Sequence, residues 1–382
     1  MVTTPVPYFT LVALLEVCAF FYASPSANER VKQYSTGFAI FFFFFFLAFR
    51  GFIFSDWITY YSYFHQAKLS DVFDYKLGMI DNFEPGFVIL NLVCRAMFDE
   101  FFFFQFVICL ANLVLLLNFF KGRIDNIPFA LMLYFVFGGL DISINLFRNS
   151  MAIMLFLNAL PFLEKRQPVP YFMLCLLGAS FHATGLIYLP LYFVLHRKMN
   201  RWVYLGIIIA CNIIFLLNIP VVLSTATLLG LDEQFSAKLR AYTELYNKAT
   251  PFSIGYMERF MTSFLVICYY NKLRALNKSN TIFVNALLGY LIAFFFFSQF
   301  DTLSKRLGML FIFSYWILWS ELIKCFSIRT NRKLFIAFVS LYSLVKIWSL
   351  TRLPSMEYDN ILFGHKSYQE RLFIFNRTFE EQ

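Results

Sequence analysis

The sequence predicts an all-α protein that crosses a membrane many times, and two observations support that prediction. Hydrophobic residues make up 60% of the 382-residue chain and charged residues only 14%, with 54 phenylalanines, a mixture unlike that of a soluble domain. The apolar residues also form continuous runs, such as FAIFFFFFFLAF and FVICLANLVLLLNFF, whereas strands of a membrane barrel alternate. Because a bilayer about 30 Å thick needs roughly 20 apolar residues per helix, helices are the expected spans.

The apolar segments give the expected positions of these helices along the chain. They lie at 7–23, 36–54, 84–98, 101–120, 127–140, 147–163, 170–195, 203–222, 254–271, 281–299, 307–326 and 333–350. No soluble domain or fixed-period repeat separates them, so residues 1–382 are predicted to form a single transmembrane domain. Since some segments contain breaks, we expect about 11–13 transmembrane helices, including re-entrant half-helices.

Lysine and arginine predict which ends face the cytoplasm. Fifteen of them occur in the short connections at 24–34, 121–125, 164–169, 196–201, 271–280 and 327–333. Connections rich in these residues stay on the cytoplasmic side of a membrane. The opposite, periplasmic face is then predicted to carry three longer segments, at 50–83, 224–253 and 351–382.

One apolar segment, 170–195, has basic residues at both ends, at 165–166 and 197–198. Both ends are therefore predicted to be cytoplasmic. The sequence GASFHATG at 178–185 resolves this if the chain rises, turns at His182 near the outer surface and descends again. Such re-entrant backbone is tolerated where it lines a cavity or is buried in protein.

Polar residues from separate parts of the sequence fall at the outer membrane boundary. They are Arg50, Asp56, Trp57, Tyr60, Glu84, Arg148, His182, Lys305 and Arg306. Each also has a plain structural explanation: an arginine can extend to headgroups, Asp56 can cap a helix, and Trp57 can belong to an interfacial belt. Ionisable groups are costly in a membrane, so several at one depth favour a shared water-filled site.

The basic residues of this set predict a site for a diphosphate. Arginine binds phosphate oxygens with two parallel hydrogen bonds, so Arg50 and Arg148 are the candidate binders, with Lys305 and Arg306 beside them. No carboxylate cluster resembles a metal cage, and we predict no metal or other cofactor. The seven cysteines all lie in apolar runs and form no metal-binding motif.

The remaining residues of the set predict proton transfer and sugar binding. His182, Asp56 or Glu84 could deprotonate an attacking hydroxyl group, and His182 could equally be a structural histidine. The rings of Trp57 and Tyr60 are candidates for stacking on sugars.

The outer segment LDEQFSAKLRAYTELYNKA at 231–249 predicts an amphipathic helix. Phe235, Leu239, Tyr242 and Tyr246 recur at helical spacing and would form one apolar and aromatic face. Such a helix could be a lid that stacks sugars on Tyr242 and Tyr246. It could also lie in the membrane interface and only anchor the loop.

Several of these motifs together resemble a known family. FRGFIFSDWITYYSYF, then NFEPGFVILN, then LFRNSMAIMLFLNALPFLEKR and GASFHATG are similar to the EpsG-like group of Wzy-type polymerases of bacterial surface polysaccharides. The resemblance covers roughly residues 45–195, and the later FDTLSKR matches more loosely. The motifs are specific in combination rather than singly.

The resemblance implies a GT-C-like enzyme of the bacterial inner membrane, with its active site facing the periplasm. It would transfer a growing glycan, without a metal, from undecaprenyl diphosphate to the non-reducing end of another lipid-linked repeat unit. Arg50, Asp56, Glu84, Arg148 and His182 match the family motifs, whereas Arg306 matches only by its place near a late span.

The same resemblance indicates the partners. They are undecaprenyl-diphosphate-linked repeat units as donor and acceptor, membrane lipids and, as a further candidate, a chain-length regulator. The net charge of +9 lies mostly in the cytoplasmic turns, where it meets anionic headgroups, so we predict no nucleic-acid partner.

Three other functions remain open from the sequence. An O-antigen ligase-like glycosyltransferase would use similar chemistry, although the EPGF and FHAT motifs favour a polymerase. A membrane O-acyltransferase could also use a histidine, but it normally takes its acyl donor from the cytoplasm, opposite to the predicted side of His182. A lipid-oligosaccharide flippase would need cationic residues through the full depth of the membrane.

Overall fold

The computed structural model describes residues 5–76, 82–219, 221, 224 and 253–380. These described residues are 76% helical and include no strand, which confirms the prediction of an all-α polytopic membrane protein. Among those residues, five helices are each long and apolar enough to span a membrane, or six if a bent pair forms one span. Shorter apolar helices lie at other predicted spans, and the count of 11–13 stays a prediction.

The helices are numbered here in chain order. They are α1 Val6–Ala23, α2 Glu29–Ala48, α3 Trp57–Gln66, α4 Pro85–Met97, α5 Phe101–Phe120, α6 Ile127–Tyr134, α7 Leu140–Ile144, α8 Phe147–Glu164, α9 Pro168–Ala179, α10 Leu191–Val194, α11 Arg201–Leu216, α12 Ile254–Cys268, α13 Tyr270–Leu276, α14 Asn280–Phe296, α15 Asp301–Met309, α16 Phe313–Cys325, α17 Arg329–Thr351 and α18 Tyr368–Glu380. Short 3₁₀ helices cover Leu69–Val72, Ala183–Tyr188 and Pro354–Met356.

The chain forms two compact units. The first consists of Met1–Tyr192 together with Lys333–Gln382, and the second consists of Phe193–Arg332. The first unit holds all three sequence motifs around residues 50–60, 84–87 and 147–184. That both units belong to a single transmembrane domain stays a prediction.

Two predicted spans differ from the helices found there. Helix α2 ends at Ala48 rather than at residue 54, because the backbone beyond it bonds to a distant segment instead of to its own preceding turn. The predicted span at 307–326 is divided between α15 and α16, whose axes differ by 57°. The predicted break at 178–185 is present, since α9 ends at Ala179 and a 3₁₀ helix starts at Ala183.

Helix α8 forms the centre of the first unit, and its residues are buried along almost the whole length. It packs against α5 and α9, and Asn112 of α5 donates to the Ser150 hydroxyl at 2.7 Å. Buried polar groups in membrane helices need such partners, since lipid provides none. The helix therefore gives a rigid support to the polar residues at its first turn.

Two of the predicted outer segments pack together in the first unit. Gly51 N donates to Asp359 O at 3.0 Å, and Phe54 N donates to Ser355 O at 2.8 Å. A Cβ atom on Gly51 would overlap the Asp359 carboxylate, so only glycine permits this approach. The C-terminal segment thus holds the stretch that leads into α3.

Candidate functional site

The first turn of α8 carries an ion pair that joins two of the sequence motifs. Arg148 Nη1 donates to Glu84 Oε2 at 2.8 Å, and the side chains are 21% and 5% exposed, respectively. The Arg148 guanidinium also lies over the ring of Phe83, 4.7 Å from its centroid. Because a buried carboxylate is costly without a cation, each member of the pair fixes the position of the other.

The EPGF motif is bonded to the break after α9. The second carboxylate oxygen of Glu84 accepts a hydrogen bond from Ala183 N at 2.9 Å, and Gly86 N donates to Ser180 O at 2.8 Å. Pro85 occupies the first turn of α4, where its missing N–H costs nothing. A Cβ atom on Gly86 would overlap the Ser180 hydroxyl, so glycine is required for this contact.

His182 is held by a second set of bonds between the break and α8. Its Nδ1 accepts from Thr184 N at 3.1 Å and lies 2.9 Å from the Thr184 hydroxyl. That hydroxyl donates to Asn149 Oδ1 at 2.8 Å. Arg148 and Asn149 are neighbours in sequence, so one turn of α8 positions both the predicted phosphate binder and the predicted base.

The predicted aromatic residues of α3 are buried next to this turn. The ring of Tyr60 stacks on Phe147 with centroids 5.1 Å apart, and Trp57 Nε1 donates to Phe54 O at 3.2 Å. Trp57 and Tyr60 are only 3% and 5% exposed, whereas stacking on a sugar needs an open ring face. Sugar binding by these two residues stays a prediction.

Asp56 directly precedes α3, and its charge acts on the nearby Tyr60. Its Oδ1 accepts from the Ser55 hydroxyl at 3.0 Å, and its side chain makes no capping bond to the helix. Burial, aided by the Asp56 charge, raises the pKa of Tyr60 to about 12, while Arg148 acts in the opposite direction. Tyr60 is therefore protonated at neutral pH.

Arg50 lies over the ring of Phe147 and is buried inside the protein. Its guanidinium donates to Leu47 O and, at 2.8 Å, to Ser143 O, and it lies 5.3 Å from the Phe147 ring centroid. The residue is 1% exposed. It bonds to main-chain carbonyls and to the Cys109 sulfur rather than to a carboxylate, and diphosphate binding by Arg50 stays a prediction.

The other predicted site residues belong to the second unit. Lys305 and Arg306 lie on α15 with exposed side chains, and their role in diphosphate binding stays a prediction. Tyr242 and Tyr246, with the proposed lid at 231–249, lie outside the described residues.

Some residues of the site had no assigned role in the sequence. Asn149 accepts through Oδ1 from the Thr184 hydroxyl, and Asn145 donates to Asp141 Oδ1 at 2.6 Å. Thr184 and Ser180 lie within the GASFHATG break, and their place in that motif was the available signal. The described residues contain no group of three or more His, Cys, Asp or Glu side chains that could hold a metal.

Comparison with known proteins agrees with the motifs. A family model described as the EpsG family matches residues 34–362, a range that includes every predicted site residue. Neither the search of curated proteins nor that of solved structures gave a match, so the likeness to GT-C enzymes stays a prediction. Since the match covers most of the sequence, the chain belongs to the EpsG family, a family of Wzy-like polysaccharide polymerases.

Proposed function

We propose that the chain transfers a growing glycan from undecaprenyl diphosphate to the non-reducing end of another lipid-linked repeat unit. The reaction would take place at the periplasmic face of the bacterial inner membrane. Family membership supports a polysaccharide polymerase-like role. The single observation that supports the finer proposal is the Glu84–Arg148 pair at the start of α8, joined to the His182 loop through Ala183.

Arg148 is the proposed binder of the donor's diphosphate. Its side chain is partly exposed, although its Nε is itself buried and has no hydrogen-bond partner among the described residues. A guanidinium has five N–H donors in a planar fork, so the bond to Glu84 leaves donors for phosphate oxygens. Bonds between two charged groups are about twice as strong as neutral ones.

Glu84 is then a positioning residue rather than the base. Both of its carboxylate oxygens already accept hydrogen bonds, one from Arg148 and one from Ala183 N. A carboxylate engaged in this way orients the guanidinium and is poorly placed to take a proton. Asp56 remains the alternative base predicted from the sequence.

His182 is the proposed base in this scheme. The oxygen of the acceptor hydroxyl forms a bond to the anomeric carbon of the donor glycan, and its proton passes to His182. The bond from that carbon to the diphosphate oxygen breaks, and the electron pair leaves with undecaprenyl diphosphate. Arg148 stabilises the charge that develops on this leaving group, so the proposed reaction needs no metal ion.

The test is ladder formation by the purified protein. Lipid-linked repeat units isolated from cells that lack the polymerase gene serve as both donor and acceptor, and the products are separated by size. A ladder of regularly spaced products is expected. Transfer of glycan only to a different lipid would indicate a ligase, and a folded protein that leaves the repeat units unchanged would contradict the proposal.

Thiol labelling tests the proposed side of the membrane. In a variant without native cysteines, Phe73→Cys should react with a membrane-impermeant thiol reagent added from the periplasm, since Phe73 is 82% exposed in the outer segment. Lys278→Cys lies in an exposed turn between α13 and α14 and should not react. The reverse labelling pattern would place the site in the cytoplasm.

A further inference from the structure

We propose that helix α4 does not cross the membrane but lies along its surface, with one apolar face against lipid acyl chains. This face consists of Ile89, Val93 and Met97. Its partner is the lipid leaflet on the side of the membrane that carries Glu84 and Arg148. The apolar segment at 84–98 was expected to be a span, so this position of α4 changes the expected path of the chain.

Helix α4 is too short to span a bilayer. It covers Pro85–Met97, or 13 residues, and at a rise of 1.5 Å per residue its length is about 20 Å. The hydrocarbon core of a bilayer is about 30 Å thick. The last turn of α4 also carries the charged Arg95, which donates at 3.1, 3.1 and 2.8 Å to three carbonyls at the end of α3, those of Phe64, His65 and Ala67.

Both ends of α4 contact the same end of α5. The ring of Phe87, near the start of α4, lies 5.6 Å from the ring of Phe104. The ring of Phe98, directly after α4, lies 4.8 Å from that of Phe103. Phe103 and Phe104 are neighbours in the first turn of α5. If α4 crossed the membrane antiparallel to α5, Phe87 would lie near the middle of α5 instead, so α4 lies across the end of α5.

That end of α5 is at the level of the candidate site. Phe104 contacts Phe147, the first residue of α8, with ring centroids 6.3 Å apart. Glu84, directly before α4, bonds to Arg148 in the same turn of α8. Both ends of α4 are therefore at the level where α5 and α8 begin.

The two faces of α4 have different surroundings. The buried residues are Phe87, Val88, Asn91 and Cys94. On the opposite face Ile89, Val93 and Met97 recur every fourth residue, which places them in one row, and they are 49%, 50% and 62% exposed. A row of large apolar side chains is unfavourable in water, whereas acyl chains cover it without this cost.

The exposed face of α4 continues onto a face of α5, which indicates lipid as its partner. Phe98 is 60% exposed and contacts Phe103, which lies on one side of α5 with Leu110 and Val114. Those two side chains are 43% and 58% exposed. Helix α5 is long and apolar enough to span a membrane, so acyl chains cover this side of it. The same leaflet then covers the adjoining face of α4.

This position of α4 determines the depth of the candidate site, and this consequence rests on the polymerase reaction proposed above. An interfacial helix lies at the boundary between headgroups and acyl chains. Since Glu84 directly precedes α4, the Glu84–Arg148 pair is held at the level of the lipid phosphates. The diphosphate of a lipid-linked donor lies at that level as well.

Fluorescence quenching in liposomes tests the depth of α4. In a variant without native cysteines, Ile89→Cys, Val93→Cys and Met97→Cys are each labelled with a fluorophore. The lipids carry a nitroxide at a shallow or a deep position of the acyl chain. We expect the three positions to have the same depth and to be quenched most by the shallow nitroxide. In a helix that crosses the membrane, Ile89 and Met97 would differ in depth by about 12 Å.

Leu110→Cys is the matched control. Leu110 is also exposed, but it lies near the middle of α5, so the deep nitroxide should quench its label most. Different depths at Ile89 and Met97, or stronger quenching by aqueous iodide than by the lipids, would overturn the proposal. Shielding of α4 from both quenchers would also overturn it, since protein would then cover this face. These measurements do not depend on turnover, so absence of polymerisation by the wild type would refute only the proposed function.

Discussion

Arg50 and Arg148 both adjoin Phe147 and have very different surroundings. The Arg50 guanidinium faces the ring of Phe147, and Arg148 is the next residue along α8. Arg50 is 1% exposed and donates to main-chain carbonyls. Arg148 is partly exposed, has a carboxylate partner and keeps an unbonded Nε.

This difference shows that depth in the membrane does not define the role of an arginine. Carbonyls that receive the Arg50 N–H groups are neutral and fixed, so this contact joins α2 to α7 and stabilises the fold. A partly exposed guanidinium that is oriented by a carboxylate can add an anionic ligand without losing its support. The kind of partner and the remaining exposure therefore distinguish a structural arginine from a binding one.

The largest effect is expected for Arg148→Lys. Lysine keeps the positive charge but loses the planar fork, and it cannot bind a diphosphate with two parallel hydrogen bonds. Loss of stabilisation of a developing leaving group is worth about 3 kcal/mol, or about a hundredfold in rate. The measurement is the initial rate of ladder formation by purified variants of equal expression.

Arg123→Lys is a matched control for this prediction. Arg123 also pairs with a carboxylate, Glu164 at 3.3 Å, and also lies over a phenylalanine ring, that of Phe119 at 5.0 Å. It belongs to a predicted cytoplasmic turn, and we expect near-normal polymerisation. Equal rates for Arg148→Lys and wild type would remove Arg148 from the mechanism.

The second largest effect is expected for Arg50→Met, and it concerns stability. The Ser143 carbonyl would lose its Arg50 donor, and the Leu47 carbonyl would keep only the weak Cys109 thiol, at about 1–3 kcal/mol for each buried group left unpaired. Thermal unfolding in detergent should occur at a lower temperature, while turnover per folded molecule stays normal. Abolished turnover with unchanged unfolding would instead make Arg50 a substrate-binding residue.

Much of the fold could be predicted from local patterns in the sequence. Continuous apolar runs gave the positions of the helices, and the small and polar residues at 178–185 gave the break after α9. The early end of α2 could not be predicted, because it depends on the bonds of Gly51 and Phe54 with residues 355–359. No local pattern predicts a contact between segments about 300 residues apart in sequence, because only the folded chain brings them together.

The candidate site shows the same limit. The sequence brought Glu84, Arg148 and His182 to one predicted depth, but it gave no indication that Glu84 would bond both Arg148 and Ala183 N. It also could not tell that Trp57 and Tyr60 are buried among other aromatic rings. Burial and partners depend on tertiary contacts, whereas spacing and polarity reveal only which residues are candidates.

A smaller effect is expected for Glu84→Gln. The amide oxygen can still accept one hydrogen bond, but the charge that strengthens the bond to Arg148 is lost. Replacing a charged by a neutral hydrogen bond costs about 1.4 kcal/mol, which corresponds to about a tenfold slower reaction. The pH dependence of the rate should keep its shape, because His182 rather than Glu84 is the proposed base. Loss of the decrease in rate at low pH, which reports protonation of a general base, would make Glu84 the base.

The smallest effect, no change at all, is expected from chelation of divalent cations. If Arg148 neutralises the diphosphate as it leaves, the guanidinium already supplies the charge that a metal ion would otherwise provide. Ladder formation should therefore proceed at the same rate with excess EDTA and with added magnesium. A metal-dependent glycosyltransferase assayed in the same mixture must lose activity, which shows that chelation is complete. Inhibition by EDTA that magnesium reverses would assign charge neutralisation to a bound cation. Arg148 would then differ from Arg50 only in its exposure, and neither arginine would be needed for the chemical step.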